Sequence, residues 1–242
     1  MQEKTIQNIL SRKPFAIIGH RGARGLAQEN TAEAIEEAIK HRADIVEIDV
    51  QSTADKVLVA SHDPTITLDN KHIDIRRTNY TDILSSIKDP RYLPKIEDLL
   101  EEYIDKIAFF LEIKNPQDTK KLLQLVAEKN YLNRVAIISF YEEALVEVRK
   151  LHRTITTGII YYRPPGRILE CKKIKCNIVL PRYPLATEKA IKFAHKLGLR
   201  VVAWTVNDGK TMEELARRGV DGIATDRPDI ARAVREKLVA TS

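Results

Sequence analysis

Residues 107–114 read Ile-Ala-Phe-Phe-Leu-Glu-Ile-Lys. The unbroken apolar run Ile107–Leu111 fits a parallel strand covered on both faces. Its far end carries Glu112 and Lys114, two positions apart and therefore on one strand face. A buried body with a charged carboxyl tip is what an α/β protein with its site at the strand ends requires.

Working outward, the same alternation recurs. Strands are expected at Phe15–Gly19, Asp44–Val50, Ile107–Ile113, Val135–Ser139, Thr156–Ile160, Asn177–Leu180, Arg200–Thr205 and Gly222–Thr225. Helical patterns fall at about 31–41, 94–104, 117–130, 141–151, 164–173, 187–197, 210–218 and 228–239. Eightfold βα alternation closes most naturally into a (β/α)8 TIM barrel, with a doubly wound open sheet as the runner-up. Asn30 and Glu33 read as a capping box for the first of these helices. Pro94, Pro164 and Pro228 read as helix starts, and Gly198 and Gly219 as helix stops.

A length of 242 residues suits one α/β domain spanning 1–242. One segment interrupts the rhythm: an insertion after the second strand, at about 57–93. Within it Val57–Ala60 reads as a short extra strand, and Thr65–Ile75 as a polar loop or hairpin around Asp69-Asn70. So long a connection is expected to serve function, here as a cap over the barrel mouth.

No run approaches the roughly 20 apolar residues of a membrane span, and the first thirteen residues lack the features of a secretion signal. The expected location is cytoplasmic, with no stable membrane association. Cys171 and Cys176 are expected to be reduced structural thiols. Forty basic against 34 acidic residues give +6, but the excess is spread out, without the basic stripe of a nucleic-acid binder. A mild positive field favours an anionic small substrate.

The expected strand ends collect ionisable groups: His20 and Arg21 after the first, Glu47 and Asp49 on the second, His62 after the extra strand, Glu112 and Lys114 on the next, and Asn207 near Trp204. Glu47 and Asp49 share a face, as Glu112 and Lys114 do. Three converging carboxylates repel one another, and a hard divalent cation, Mg²⁺ or Ca²⁺, resolves the repulsion. The alternative is a structural ion network with Arg21 and Lys114. Three carboxylates and two cations sum to −1, which repels an anionic diester; one divalent ion makes the sum +1. His20 and His62 can act as acid and base near neutrality. Arg21 offers a planar fork and Lys114 a point charge for phosphate oxygens. Trp204 either walls the pocket or packs beneath its rim. His41, His72, His152 and His195 read as surface.

Taken together these stretches resemble the glycerophosphodiester phosphodiesterases: His20-Arg-Gly with Glu29-Asn-Thr31, Glu47-Ile-Asp-Val50, His62-Asp63, Leu111-Glu-Ile-Lys114, Trp204-Thr-Val-Asn207, and Gly219-Val-Asp-Gly-Ile223 with Thr225-Asp226. They run in the family's order from residue 17 to 228. The resemblance implies a barrel that hydrolyses glycerophosphodiesters, a small-molecule substrate class, to glycerol 3-phosphate and an alcohol. It implies one divalent cation on Glu47, Asp49 and Glu112, His20 and His62 as acid–base pair, Arg21 and Lys114 on the phosphate, and Glu29 in a supporting place. Gln28 and Lys56 depart from the family's usual proline and glycine and bear on loop shape. A lysophospholipase D-like activity on membrane lysolipids and a non-catalytic phosphate-binding barrel are the alternatives.

Overall fold

The computed structural model describes residues 5–68, 71–87 and 89–241. The chain begins with α1 (Ile6–Ile9), β1 (Ala16–Gly19), α2 (Ala32–Lys40) and β2 (Ile45–Ser52). The insertion follows, with β3 (Leu58–Ala60), β4 (Thr65–Leu68), β5 (Lys71–Asp74), a 3-10 turn at Ile75–Arg77 and α3 (Tyr80–Ser86). Then come α4 (Ile96–Tyr103), β6 (Ala108–Ile113), α5 (Thr119–Glu128), β7 (Val135–Ser139), α6 (Glu142–Leu151), β8 (Thr156–Tyr161) and α7 (Ile168–Lys173). The last elements are β9 (Ile178–Pro181), α8 (Glu188–Lys196), β10 (Arg200–Ala203), α9 (Gly209–Arg218), β11 (Gly222–Thr225) and α10 (Pro228–Ala240).

Among the described residues, β1, β2 and β6 through β11 form a closed ring of parallel strands. Closure comes from β1, which pairs with β11 on one side and β2 on the other. This is the expected (β/α)8 barrel. The open-sheet alternative is excluded, because the first and last strands are hydrogen-bonded neighbours. β3 adds to β2 as an antiparallel partner outside the ring.

Strand alternation sorts the side chains. In β2, Val46, Ile48 and Val50 face the helices, while Ile45 packs inside the barrel; Phe109, Leu111 and Ile113 of β6 face out, and Ala108 and Phe110 face in. Glu47, Asp49 and Glu112 therefore lie on the inner faces, towards the carboxyl ends. Ile6, Ile9 and Leu10, in and just after α1, join the inner cluster with Ala16, Ile45 and Ala108 and close the opposite end. Phe109 and Phe110 are fully buried, and such rings typically contribute about 3–5 kcal/mol against truncation to Ala.

The insertion has a small core of its own, Val59, Ile75, Ile83 and Leu93. β4 and β5 form the expected hairpin; the expected turn, Asp69-Asn70, lies outside the described residues. Three local expectations need correction. Thr31, not Asn30, caps α2, accepting from the Ala34 amide; Asn30 has φ of 60° and turns its amide inward to Asp49. The helix expected from Pro164 starts at Ile168, and the one expected from Pro94 starts at Ile96. Pro228 does open α10, and Gly219 ends α9 with φ of 90°. His195 lies at the surface as expected and bonds from there to the buried Asp221 carboxylate at 2.7 Å. Cys171 and Cys176 are free and buried. No helix among the described residues is long and apolar enough to cross a membrane.

Candidate active site

Glu47 and Asp49 stand on β2, and Glu112 is paired in register with Asp49 on β6. All three carboxylates are buried, and each offers an oxygen within 4.8 Å of the others. Asp49 is gripped most fully: Lys114 Nζ lies 3.0 Å from it, Arg21 Nε 3.2 Å, and the Asn30 amide donates at 2.9 Å. Lys114 also donates to Glu112 at 2.7 Å. Glu47 differs. Its Oε2 accepts from the Arg21 amide at 2.9 Å, while its Oε1 is buried with no hydrogen-bond partner. A buried carboxylate oxygen without a partner costs stability unless something fills the gap. An all-oxygen donor set with one unsatisfied atom suits a hard divalent cation.

The electrostatics agree. Burial, then the neighbouring charges of Asp49 and Glu112, pushes the Glu47 carboxyl well above the ordinary carboxylate range. Burial also lifts Glu112, to about 7, against the pull of Lys114. Burial would raise Asp49 too, but Lys114, Arg21 and Asn30 together hold it below its usual value. Without a cation the site therefore keeps protons. The ion-network alternative describes Asp49 and Glu112, both paired with Lys114; the Glu47 side chain has no ion pair with Lys114 or Arg21.

The turn after β1 is built to reach these carboxylates. Arg21 adopts φ of 51° and Gly22 φ of 82°, which aims the amide of Arg21 at the Glu47 side chain and that of Gly22 at its carbonyl. A Cβ on Gly22 would lie 2.6–2.9 Å from Ala34, so only glycine lets this turn pack on α2.

His20 Nδ1 lies 2.6 Å from Asp226 Oδ1, leaving Nε2 towards Glu47 at 3.9 Å. Asn207 donates to Asp226 at 2.7 Å and accepts from its amide. His62 enters from the insertion, and its Nδ1 lies 2.9 Å from the exposed Asp63. Burial, with Lys114 next, lowers the His62 imidazole from its usual value. Both imidazoles line one cavity of about 190 Å³ with Arg21, Glu47, Glu112 and Lys114. Its apolar side includes Phe110, Ile138, Leu180 and Trp204. Trp204 donates to the Leu180 carbonyl at 2.7 Å and meets Phe140 edge-on at 5.7 Å between centroids.

The geometry thus gathers His20, His62, Arg21, Glu47, Glu112, Lys114 and Trp204 around one space, with Asp49 directly behind. Glu29 stands one step back, accepting from Arg21 at 2.8 Å. Asn207 does not line the cavity and bonds to Asp226 instead. Sequence reasoning assigned no role to Asp226 and read Asn30 as a helix cap. The strand-end rule would have found Asp226, which directly follows β11; nothing local in the sequence separates an inward Asn30 from a capping one.

The model of the glycerophosphoryl diester phosphodiesterase family matches residues 20–230. The chain belongs to that family. Among the relatives of this family member, YhdW of Bacillus subtilis (strain 168) is 32% identical, over 88% of this chain and 95% of YhdW. The glycerophosphodiester phosphodiesterase of Caldanaerobacter subterraneus subsp. tengcongensis is 29% identical, over 88% of this chain and 94% of its own. In structure the chain resembles an Oleispira antarctica phosphodiesterase in complex with the product sn-glycerol-3-phosphate, with a TM-score of 0.78 and 21% identity, covering 91% of this chain and 96% of that one.

Proposed function

We propose that this family member hydrolyses glycerophosphodiesters to glycerol 3-phosphate and an alcohol, with a divalent cation held by Glu47, Asp49 and Glu112. The observation that carries the reading is the shared cavity, where two imidazoles face a carboxylate cluster with an unsatisfied oxygen on Glu47. Relatives named as glycerophosphodiester phosphodiesterases support the substrate class, as does the glycerol 3-phosphate bound by the Oleispira enzyme. The cation, Mg²⁺ or Ca²⁺, would supply Lewis-acid charge against the phosphoryl oxygens.

The chain's own groups do the rest. Arg21 and Lys114 are the cations nearest the cavity and bind the phosphate oxygens on that side. His20, oriented by Asp226, and His62, supported by the insertion, divide the proton transfers: one takes a proton from the attacking oxygen, the other gives one to the leaving alcohol. That oxygen belongs to water or to the neighbouring glycerol hydroxyl. The apolar wall, with Trp204, shields the reacting ester from bulk water. Residues 57–93 act as part of the same single domain, delivering His62 to the mouth.

A second substrate class has one observation in its favour. Exposed Tyr141 and Tyr162 line the wider groove beside Phe140, an apolar margin that the polar 65–90 segment does not offer. Lysolipids would use such a margin.

The test is turnover of glycerophosphocholine, glycerophosphoethanolamine and glycerophosphoglycerol, and of a lysolipid, after chelation and refilling with Mg²⁺, Ca²⁺ or Mn²⁺. The proposal expects activity on the soluble diesters, lost on chelation and restored by at least one metal. Full activity in the chelated protein would refute the metal assignment, and no turnover of any diester would refute the substrate class.

A further inference from the structure

The second imidazole presents a problem of support. His20 is held by Asp226, a carboxylate that is itself fixed by Asn207. The ring of His62 has no comparable anchor: Asp63 is its hydrogen-bonding partner, and that side chain is 73% exposed. Groups that transfer protons lose rate steeply when displaced by as little as 1 Å. Something else must fix His62, and the backbone around it shows what.

Gln51 is the next inward position on β2 after Glu47 and Asp49, and only 3% exposed. Its side-chain amide donates to the His62 carbonyl at 3.2 Å. Its carbonyl oxygen accepts from Arg76 Nη2, and the same guanidinium nitrogen reaches Asp118 at 3.3 Å. Asp118 is 3% exposed, in the turn after β6, and accepts from the Ser52 hydroxyl at 2.5 Å. Arg76 sits in the 3-10 turn of the insertion, where the Ile75 amide donates to the Pro64 carbonyl at 2.9 Å. The segment 62–64 is thus tied at both ends, to the barrel through Gln51 and to the insertion through Ile75.

The order of these bonds matters. A glutamine amide has one accepting and one donating end. Arg76 can only donate, so it holds the Gln51 oxygen and obliges the nitrogen to face His62. Asp118, placed by the strand that carries Glu112, in turn neutralises Arg76. We infer that Gln51 and Arg76 are positioning residues for His62, holding the insertion's imidazole at the site through the chain Ser52–Asp118–Arg76–Gln51. The inference rests on His62 being one of the two proton-transfer groups, as proposed above.

Five variants test it: Gln51→Met, Arg76→Met, Arg76→Lys, His62→Ala and the double variant Gln51→Met/His62→Ala. For each, kcat, KM and its pH profile are measured on a diester shown to be turned over, with metal affinity by calorimetry. Gln51→Met should lower kcat about ten- to a hundredfold, with metal affinity unchanged. Arg76→Met should do the same, and Arg76→Lys should restore part of the loss. The double variant should be no slower than His62→Ala, because a support has no effect once its imidazole is gone. An unchanged kcat in Gln51→Met, or the same fractional loss in the His62→Ala background, would overturn the inference. Should Arg76→Met fail to fold, Gln51→Met and its double variant decide alone. If His62→Ala itself keeps full turnover, the parent assignment of His62 fails instead.

Discussion

His20 and Asp226 are 206 residues apart in the chain, yet Nδ1 and Oδ1 lie 2.6 Å apart across the β1–β11 seam. Burial alone would raise the Asp226 carboxyl, but the hydrogen bond and charge of His20, with Asn207, hold it below its usual value. The carboxylate fixes which imidazole nitrogen faces Glu47 and the cavity. Asp226→Asn should therefore lower kcat by about 10²–10⁴, the range for impaired acid–base catalysis. Metal affinity should stay unchanged. Comparing kcat with a calorimetric metal titration checks this, and a variant that merely loses metal would contradict it.

The two imidazoles can be told apart by the leaving group. Replacement of either by Ala should cost about 10²–10⁴ on glycerophosphocholine. A p-nitrophenyl diester needs little protonation of its departing oxygen. The variant lacking the general acid should recover most of its rate on that ester, and the variant lacking the base should not. Equal recovery, or none in either, would count against a divided acid–base role.

Protons would compete with the proposed cation for the carboxylates. Because Glu112 titrates near 7 in the metal-free protein and Glu47 higher than usual, ion binding must displace protons. Affinity should fall as pH drops below about 7, and titrations in buffers of different ionisation enthalpy should reveal proton release. A flat affinity between pH 6 and 8 would contradict it.

The same shifts bear on stability. A carboxyl whose folded pKa is raised binds its proton more tightly folded than unfolded, so its contribution is fully present at low pH. For Glu112 that contribution is lost as pH rises from the unfolded value through about 7. Metal-free protein should therefore melt lower at pH 8 than at pH 6, and the cation should reverse the loss. Glu47→Gln should raise the melting temperature of the metal-free form at pH 8 while weakening metal binding. Thermal scans with and without chelator are sufficient.

Much of this was legible in the sequence. Period-two alternation with charged tips, as in Glu47, Asp49 and Glu112, places a strand, its face and its end at once. What stayed hidden depends on distant partners. Asn30 and Thr31 are both good caps by type, and only the inward pull of Asp49 decides which one serves. Gln51 looks like an ordinary strand residue until Arg76, 25 residues on, donates to it and is itself held by Asp118, 42 residues further along. Pro164 marks a chain reversal as well as it marks a helix, and the strand after which it falls does not discriminate.

The ring closes only when the last strand meets the first, and this orders events during synthesis. His20 leaves the ribosome 206 residues ahead of Asp226. Every partial chain in between holds an imidazole without its tether and a barrel with a missing stave. The tether of His20 thus comes late, and a chain interrupted between Glu112 and Asp226 carries all three carboxylates yet leaves that imidazole without its partner.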